Sequence, residues 1–405
     1  MTPAYTHWQA NAIRWQANAT GGGRILLSGA RIMIEHRSHQ TAPPLPFGIL
    51  LCLLLTLVPN IRATAQDIDD EWTVTPEEIA AAWSAPLFQT DDVLELTLYA
   101  DFNTIRRRDR ERDAEERQAS ILVDAEGSEV TLDLKIRTRG NWRLNPRNCE
   151  FPPLWLDFDK DDEALAGTVF EGQNRLKLYV TCRPGNDRYE EYIYTEYVIY
   201  PAYNVLTDLS FRARPVRVTY VDTSGEDDTF TSNAFLLEHK SQMAARNEAV
   251  PIELTQLHPA NAHQENSALL ELFNYAVGMT DYTCAGPPLH NCEPIRRMTD
   301  GALIPVSYDF DWSGTVDTRY ATPDPSLPIR NVRQRIFQGF CRDIDYGSIF
   351  QRFTDKREEM LSVARNFEGL DEDRRDDIIE YWEDFFEMAA DEGRHDRILR
   401  DCQSW

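Results

Sequence analysis

The residues best placed to do chemistry lie in the segment Ile304-Pro-Val-Ser-Tyr-Asp-Phe-Asp-Trp-Ser-Gly314. Alternate residues of a strand point to one face, so this spacing predicts that Asp309 and Asp311 aim at one point before a break at Ser313-Gly314. Converging carboxylates suit a divalent cation or a metal-bound phosphate. An Asp-x-Asp before a turn is also ordinary turn chemistry, because Asp closes loops well. Asp281 and the His290-Asn291 pair lie upstream on loop-like sequence and add polar groups that could join the same site.

The elements that must position these residues follow from periodicity. Period-two runs at 94–99, 130–137, 154–158, 175–180, 216–220 and 234–237 read as strands and hairpins. One helix interrupts them at 187–206, with Tyr189, Tyr192, Ile193, Tyr197 and Tyr200 near a 3.6-residue repeat. Beyond residue 265 the pattern is helical at 266–278, 332–339, 350–367, 371–392 and 394–402. A single hairpin is expected at 296–311, with Asp300-Gly301 as its two-residue turn. Residues 106–117 form a mixed-charge run, read as a solvated helix or loop. The expected fold class is therefore α+β and two-lobed: a sheet-rich lobe over 66–240 and a helix-rich lobe, carrying the metal-site hairpin, over 241–405.

Residues 47–58 form a twelve-residue apolar run preceded by Arg31, His36 and Arg37 and followed by Ala63-Thr-Ala65, the pattern of a secretory signal peptide. As a helix it rises only about 18 Å, short of a bilayer core of about 30 Å. Residues 33–65 are thus read as the signal peptide and 1–32 as an over-called extension. The expected mature chain has no membrane span and is periplasmic, cell-surface or secreted.

The formal charge of the 405 residues is −25, which argues against a nucleic-acid partner. Cys149, Cys182, Cys284, Cys292, Cys341 and Cys402 remain after the leader, and six cysteines in an exported chain point to disulfides with 15 possible connectivities. A Cys284–Cys292 bridge would fix the loop between Asp281 and Asn291. Zinc is the weaker alternative without a Cys-x2-Cys pair. Neither Gly-x-Ser-x-Gly nor His-Glu-x-x-His occurs, which removes serine-hydrolase and zincin chemistry.

The order Met279-Thr-Asp281, His290-Asn291, Ile304-Pro and Asp309-Phe-Asp311-x-x-Gly314 resembles the C-terminal half of the spore-coat CotH kinase-like family. Arg137-Thr-Arg-Gly-Asn141 resembles that family's Arg-Gly-Asn element, and 216–238 its strand pair ending in Leu-x-Glu. The likeness covers about residues 94–314 and is distant. It implies a divergent protein-kinase-like fold, ATP, Mg2+ or Mn2+, and phosphoryl transfer to a hydroxyl of an extracytoplasmic protein. In that scheme Lys177 meets the phosphates, Glu196 (or Glu191) holds Lys177, and Asp281 orients the attacking hydroxyl. Asn291, Asp309 and Asp311 hold the metal. The backbone at Arg139, Gly140 and Asn141 covers phosphates, and Glu238 contacts the nucleotide.

Each residue also has a plainer account. Lys177 could face solvent on an alternating strand, Asp281 could be a turn residue after Gly278, and Arg139-Gly-Asn141 could be a strand-ending turn. Two other functions stay open: a non-catalytic extracytoplasmic binding or structural module, and a hydrolase using the Asp309/Asp311 pair on a glycan or phosphoester.

Overall fold

Apolar alternation builds the first half. In β3 (Ser128–Thr138) Leu132, Leu134 and Ile136 are buried while Thr131, Asp133 and Lys135 face outward. The same rule operates in β1 (Leu94–Ala100), β2 (Arg117–Ala125), β4 (Leu154–Asp157), β5 (Arg175–Val180), β6 (Ala213–Asp222) and β7 (Phe230–Leu237). These seven strands close in the order β1-β2-β3-β4-β5-β7-β6. Every contact is antiparallel except β1 with β6, whose parallel register runs from Leu94↔Val216 to Ala100↔Asp222. This computed structural model describes residues 73–405 apart from 113 and 126; the expected leader and extension, 1–65, lie outside the described residues.

The closed barrel corrects the expected architecture. The protein is α+β, but it is not a two-lobed, kinase-like fold: the sheet-rich half has no open sheet, because β6 returns to pair with β1. β2 was not foreseen, since it begins in the charged run and its Ile121-Leu122-Val123 triplet is unbroken apolar sequence without the period-two alternation. The 332–339 segment is not helical. Its arginines reach away from it instead, Arg333 to Asp377 and Arg335 to the Ala276 carbonyl, so tertiary contacts override the local pattern.

The described residues form nine α-helices: α1 (Pro76–Ser84), α2 (Phe102–Arg107), α3 (Asp187–Leu206), α4 (Lys240–Arg246), α5 (Gln264–Val277), α6 (Tyr346–Asp355), α7 (Arg357–Asn366), α8 (Glu372–Ala389) and α9 (Glu392–Leu399). Between them, β8 (Ala249–Pro251), β9 (Cys292–Arg297) and β10 (Leu303–Ser307) make an antiparallel sheet with β9 in the middle.

Two cores result. Leu176, Leu178, Val180, Ala234 and Leu236 point into the barrel, whereas Tyr179, Phe235 and Leu237 on the same strands join a second core with α3 and the later helices. β5 and β7 are therefore buried on both faces, and an outward residue of β5 is covered rather than solvated. α3 accordingly buries Tyr192–Tyr200 almost without interruption. Disulfides join Cys149–Cys182, Cys284–Cys292 and Cys341–Cys402, as suits an oxidising, extracytoplasmic compartment. No helix among the described residues is long and apolar enough to cross a membrane.

Candidate functional site

The β10 strand ends at Ser307, so Asp309 and Asp311 lie on the turn beyond it and not on one strand face. The chain leaves the strand because Asp309 takes a left-handed backbone, φ 66°, with its N–H donating to the Tyr200 hydroxyl at 3.0 Å. Asn291, just before β9, is also left-handed at φ 50°, and its carbonyl accepts from Tyr308 N–H at 3.1 Å.

These two non-glycine residues sit side by side in a conformation that disfavours most L side chains and that Asn and Asp tolerate best. Such outliers concentrate at functional sites. Downstream, Gly314 N–H donates to the Gly278 carbonyl at 2.9 Å, tying this turn to the end of α5. A Cβ on either glycine would collide with the Tyr381 hydroxyl, which accounts for both.

Around this turn the fold gathers charged groups from five places. From α3, Glu196 is 1% exposed and accepts from Phe310 N–H at 3.2 Å. From the 3-10 turn Trp142–Leu144, Arg143 donates to Asp311 Oδ2 at 3.2 Å and to the Tyr320 hydroxyl at 2.9 Å, and Tyr320 donates to Asp311 Oδ2 at 3.0 Å. From β5 comes Lys177, and from the end of β3 Arg139, whose guanidinium lies 4.1 Å from the Tyr179 ring centre. From the loop after α5, Asp281 accepts from Asn291 Nδ2 through its carbonyl at 2.7 Å and its carboxylate at 3.3 Å. His290 Nε2 is 3.3 Å from the same carboxylate, which raises the histidine's pKa.

The structure thus brings Arg139, Lys177, Glu196, Asp281, Asn291, Asp309 and Asp311 into one neighbourhood. Gly140 (φ 90°) and exposed Asn141 form the turn that leads from Arg139 to Arg143. Glu238 stands apart from them. It is fully buried and is clamped by Arg212 at 3.1 Å and Arg246 at 3.0 Å, an arrangement that leaves no face for a nucleotide. Lys177 also has a different partner from the one expected, because its ammonium is 3.7 Å from Glu293 on β9. Arg143, Tyr320 and Glu293 were missed. Arg143 lies only two residues beyond Asn141 and could have been found by adjacency, whereas nothing local marks Tyr320.

Charge crowding sets the electrostatics. Burial pushes Glu196 up, and the Asp311 and Asp309 charges push it further, against Arg143 and Arg139. Burial likewise raises Asp311 to about 7; Arg143 opposes this and Asp309 adds to it. Burial opposes the charge on Arg143, but Tyr320, Asp311, Glu196 and Asp309 more than offset it. Both carboxyls therefore titrate above the unfolded value of about 4. Each contribution to stability is complete below that value and is lost as the pH rises through the group's own raised pKa, which for Asp311 is about 7. The cation-free protein should thus melt at a lower temperature at pH 8 than at pH 5, and Asp311→Asn should reduce that difference in a pH series of thermal scans. Glu271, raised to about 7 by burial against Arg342, leaves a residual slope of the same sign.

The donor set suits a divalent cation only in one form. Among the described residues no three His, Cys, Asp or Glu side chains are arranged to hold a metal ion. Mg2+ is, however, commonly held by only one or two carboxylates together with substrate phosphates. Asp309 supplies a partly exposed carboxylate that accepts no hydrogen bond from the described residues, and the Asn291 amide spends its N–H groups on Asp281, leaving its oxygen free. These hard oxygen donors fit Mg2+ or Mn2+ in a complex with phosphate.

The Cys284–Cys292 disulfide closes the loop carrying Asp281, His290 and Asn291. Replacing both cysteines by serine should cost about 2–3 kcal/mol, the chain-entropy value for so short a loop. It should also free Asp281 from Asn291, visible as faster amide exchange in that loop alone. Two cavities lie outside the cluster: one of about 120 Å3 beside Glu271 and Phe340, and an open groove of about 440 Å3 beside Glu191 and Asp371. No protein-family profile matches the chain, and no curated protein matches it either.

Proposed function

We propose that this cluster binds a divalent cation together with a phosphorylated ligand, ATP in the fullest form of the reading, and that the exported chain is a phosphotransferase similar to the CotH family in its site residues. The barrel gives no support to a kinase fold, so the reading rests on the site alone. The observation that carries it is Asp309: a carboxylate unpaired among the described residues, on a strained turn next to Asn291, with Lys177 and two arginines facing the same space.

The bound cation would neutralise charge on the phosphates. Asp309 and the Asn291 oxygen would hold it, while Asp311 stays oriented by Arg143 and Tyr320. Lys177, Arg139 and Arg143 offer positive charge to the phosphates, work that is mainly positioning and charge compensation. Asp281, fixed by Asn291 and His290, is the group to orient an acceptor hydroxyl and take its proton. The hydroxyl oxygen forms a bond to the γ-phosphorus as the bond to the β-phosphate oxygen breaks and ADP leaves.

One observation favours the alternative of a non-catalytic binding or structural module. Lys177 and Asp311 are both already engaged, by Glu293 and by Arg143 with Tyr320, so the cluster as it stands is closed. Thermal unfolding of the oxidised protein with ATP and Mn2+ separates the possibilities. A ligand at about 100 times its Kd stabilises by about 2.7 kcal/mol. Asp281→Asn should keep that shift and abolish phosphate transfer to acceptor proteins. A shift with no transfer in wild type would favour a non-catalytic nucleotide-binding module, and no shift would overturn the phosphotransferase reading and leave the binding or structural module in front.

A further inference from the structure

Lys177 is covered because β5 is buried on both faces. Its side chain is 11% exposed, and its ammonium lies 3.8 Å from the Tyr308 ring centre and 3.7 Å from Glu293. A buried ammonium without a counter-charge would be costly, so Glu293 is required by the fold before any ligand arrives. Glu293 is not exclusive to Lys177, however. Its second oxygen is 3.6 Å from Lys240, the first residue of α4, whose ammonium also pairs with the exposed Glu253. One carboxylate on the site hairpin thus serves two lysines, one facing the cluster and one at its rim.

This matters because an anion can use Lys177 only by drawing it away from Glu293. If Glu293 had no other partner, the anion would strand a carboxylate at 21% side-chain exposure, and that cost would be subtracted from binding. Lys240 removes most of it. Glu196, the partner expected by analogy, cannot do the same: it is engaged with Phe310 N–H and crowded by Asp309 and Asp311. Arg139, Asp309 and His239 complete the charged or titratable groups around Lys177.

We propose that Glu293 is the positioning carboxylate for Lys177, and that Lys240 holds Glu293 when a phosphate-bearing ligand takes Lys177, so the hairpin hands its lysine to the ligand without stranding a charge. The identity of the anion rests on the function proposed above. The sharing of Glu293 does not.

The test uses the full oxidised protein, Glu293→Gln and Lys240→Met, with inorganic tripolyphosphate plus Mg2+ as the probe. Without the probe, acylation of Lys177 at one fixed pH, read by peptide mass spectrometry, should be faster in Glu293→Gln, where the clamp is gone. It should be slower in Lys240→Met, where Glu293 has only Lys177 to hold. Tripolyphosphate affinity, read by calorimetry, should change in opposite directions: tighter in Glu293→Gln and weaker in Lys240→Met, by about threefold or more in each case. A Glu293 that merely glues the hairpin to the barrel would lower the melting midpoint without producing these opposite signs. Equal labelling in all three proteins overturns the sharing. Equal tripolyphosphate affinity in all three overturns the handover and keeps the phosphate reading. The expected labelling pattern with no tripolyphosphate binding keeps the sharing and overturns that reading.

Discussion

Replacing Asp309 by asparagine is expected to weaken Mg2+-dependent ATP binding by about 100-fold or more, while leaving the protein as stable as wild type or more so. The affinity loss follows from removing a charged ligand, when even the groups that merely hold a metal's ligands in place are worth about 10- to 100-fold. The stability result follows from the same charge. Asp309 raises the pKa values of Glu196 and Asp311, so the folded state carries its negative charge as repulsion. Asparagine keeps the shape and accepts the φ of 66° at least as well as aspartate. Calorimetric titration with ATP and Mg2+, beside a urea melt, measures both. A variant that binds normally, or that unfolds much more easily, would show Asp309 to be a structural turn residue.

The largest loss of stability should come from Glu238→Ala. Arg246, 4% exposed, and Arg212 both point at this carboxylate, which also accepts from the Arg212 backbone N–H at 2.9 Å. Removing it leaves two guanidinium groups in the interior with one counter-charge fewer, and breaking a buried pair from one side costs about 3–5 kcal/mol. The residue fastens the end of β7 to α4, so the loss should be global and appear as a lower urea midpoint. Nucleotide binding at temperatures where the variant is still folded should be unaffected. A loss below about 1 kcal/mol, or a selective loss of nucleotide binding, would return Glu238 to the ligand-contacting role that its place in the sequence suggested.

These two residues show what was legible in the sequence. Asp309, Asp311, Asn291 and Asp281 stood out because polar residues recur around a hairpin that periodicity could locate, Lys177 because it is a charge inside an apolar strand pattern, and Glu196 because the family resemblance implies a helix glutamate as its partner. They do converge, although Asp309 reaches the cluster by leaving the strand and not by lying on it. What failed was long-range. Barrel closure depends on β1 finding β6 far along the chain, and no local pattern encodes that pairing. Glu238 ends its strand just as a ligand-facing residue would. Only the position of Arg212 and Arg246 in space makes it a buried clamp. Glu293 escaped notice for the same reason, because its partner Lys177 is set by the packing of β9 against the barrel.

The most direct measurement is a calorimetric titration of ATP into the oxidised protein, once with Mg2+ and once with excess chelator. The account predicts saturable one-site binding with Mg2+, lost with the chelator. Binding that ignores the cation, or no binding in either case, would contradict it.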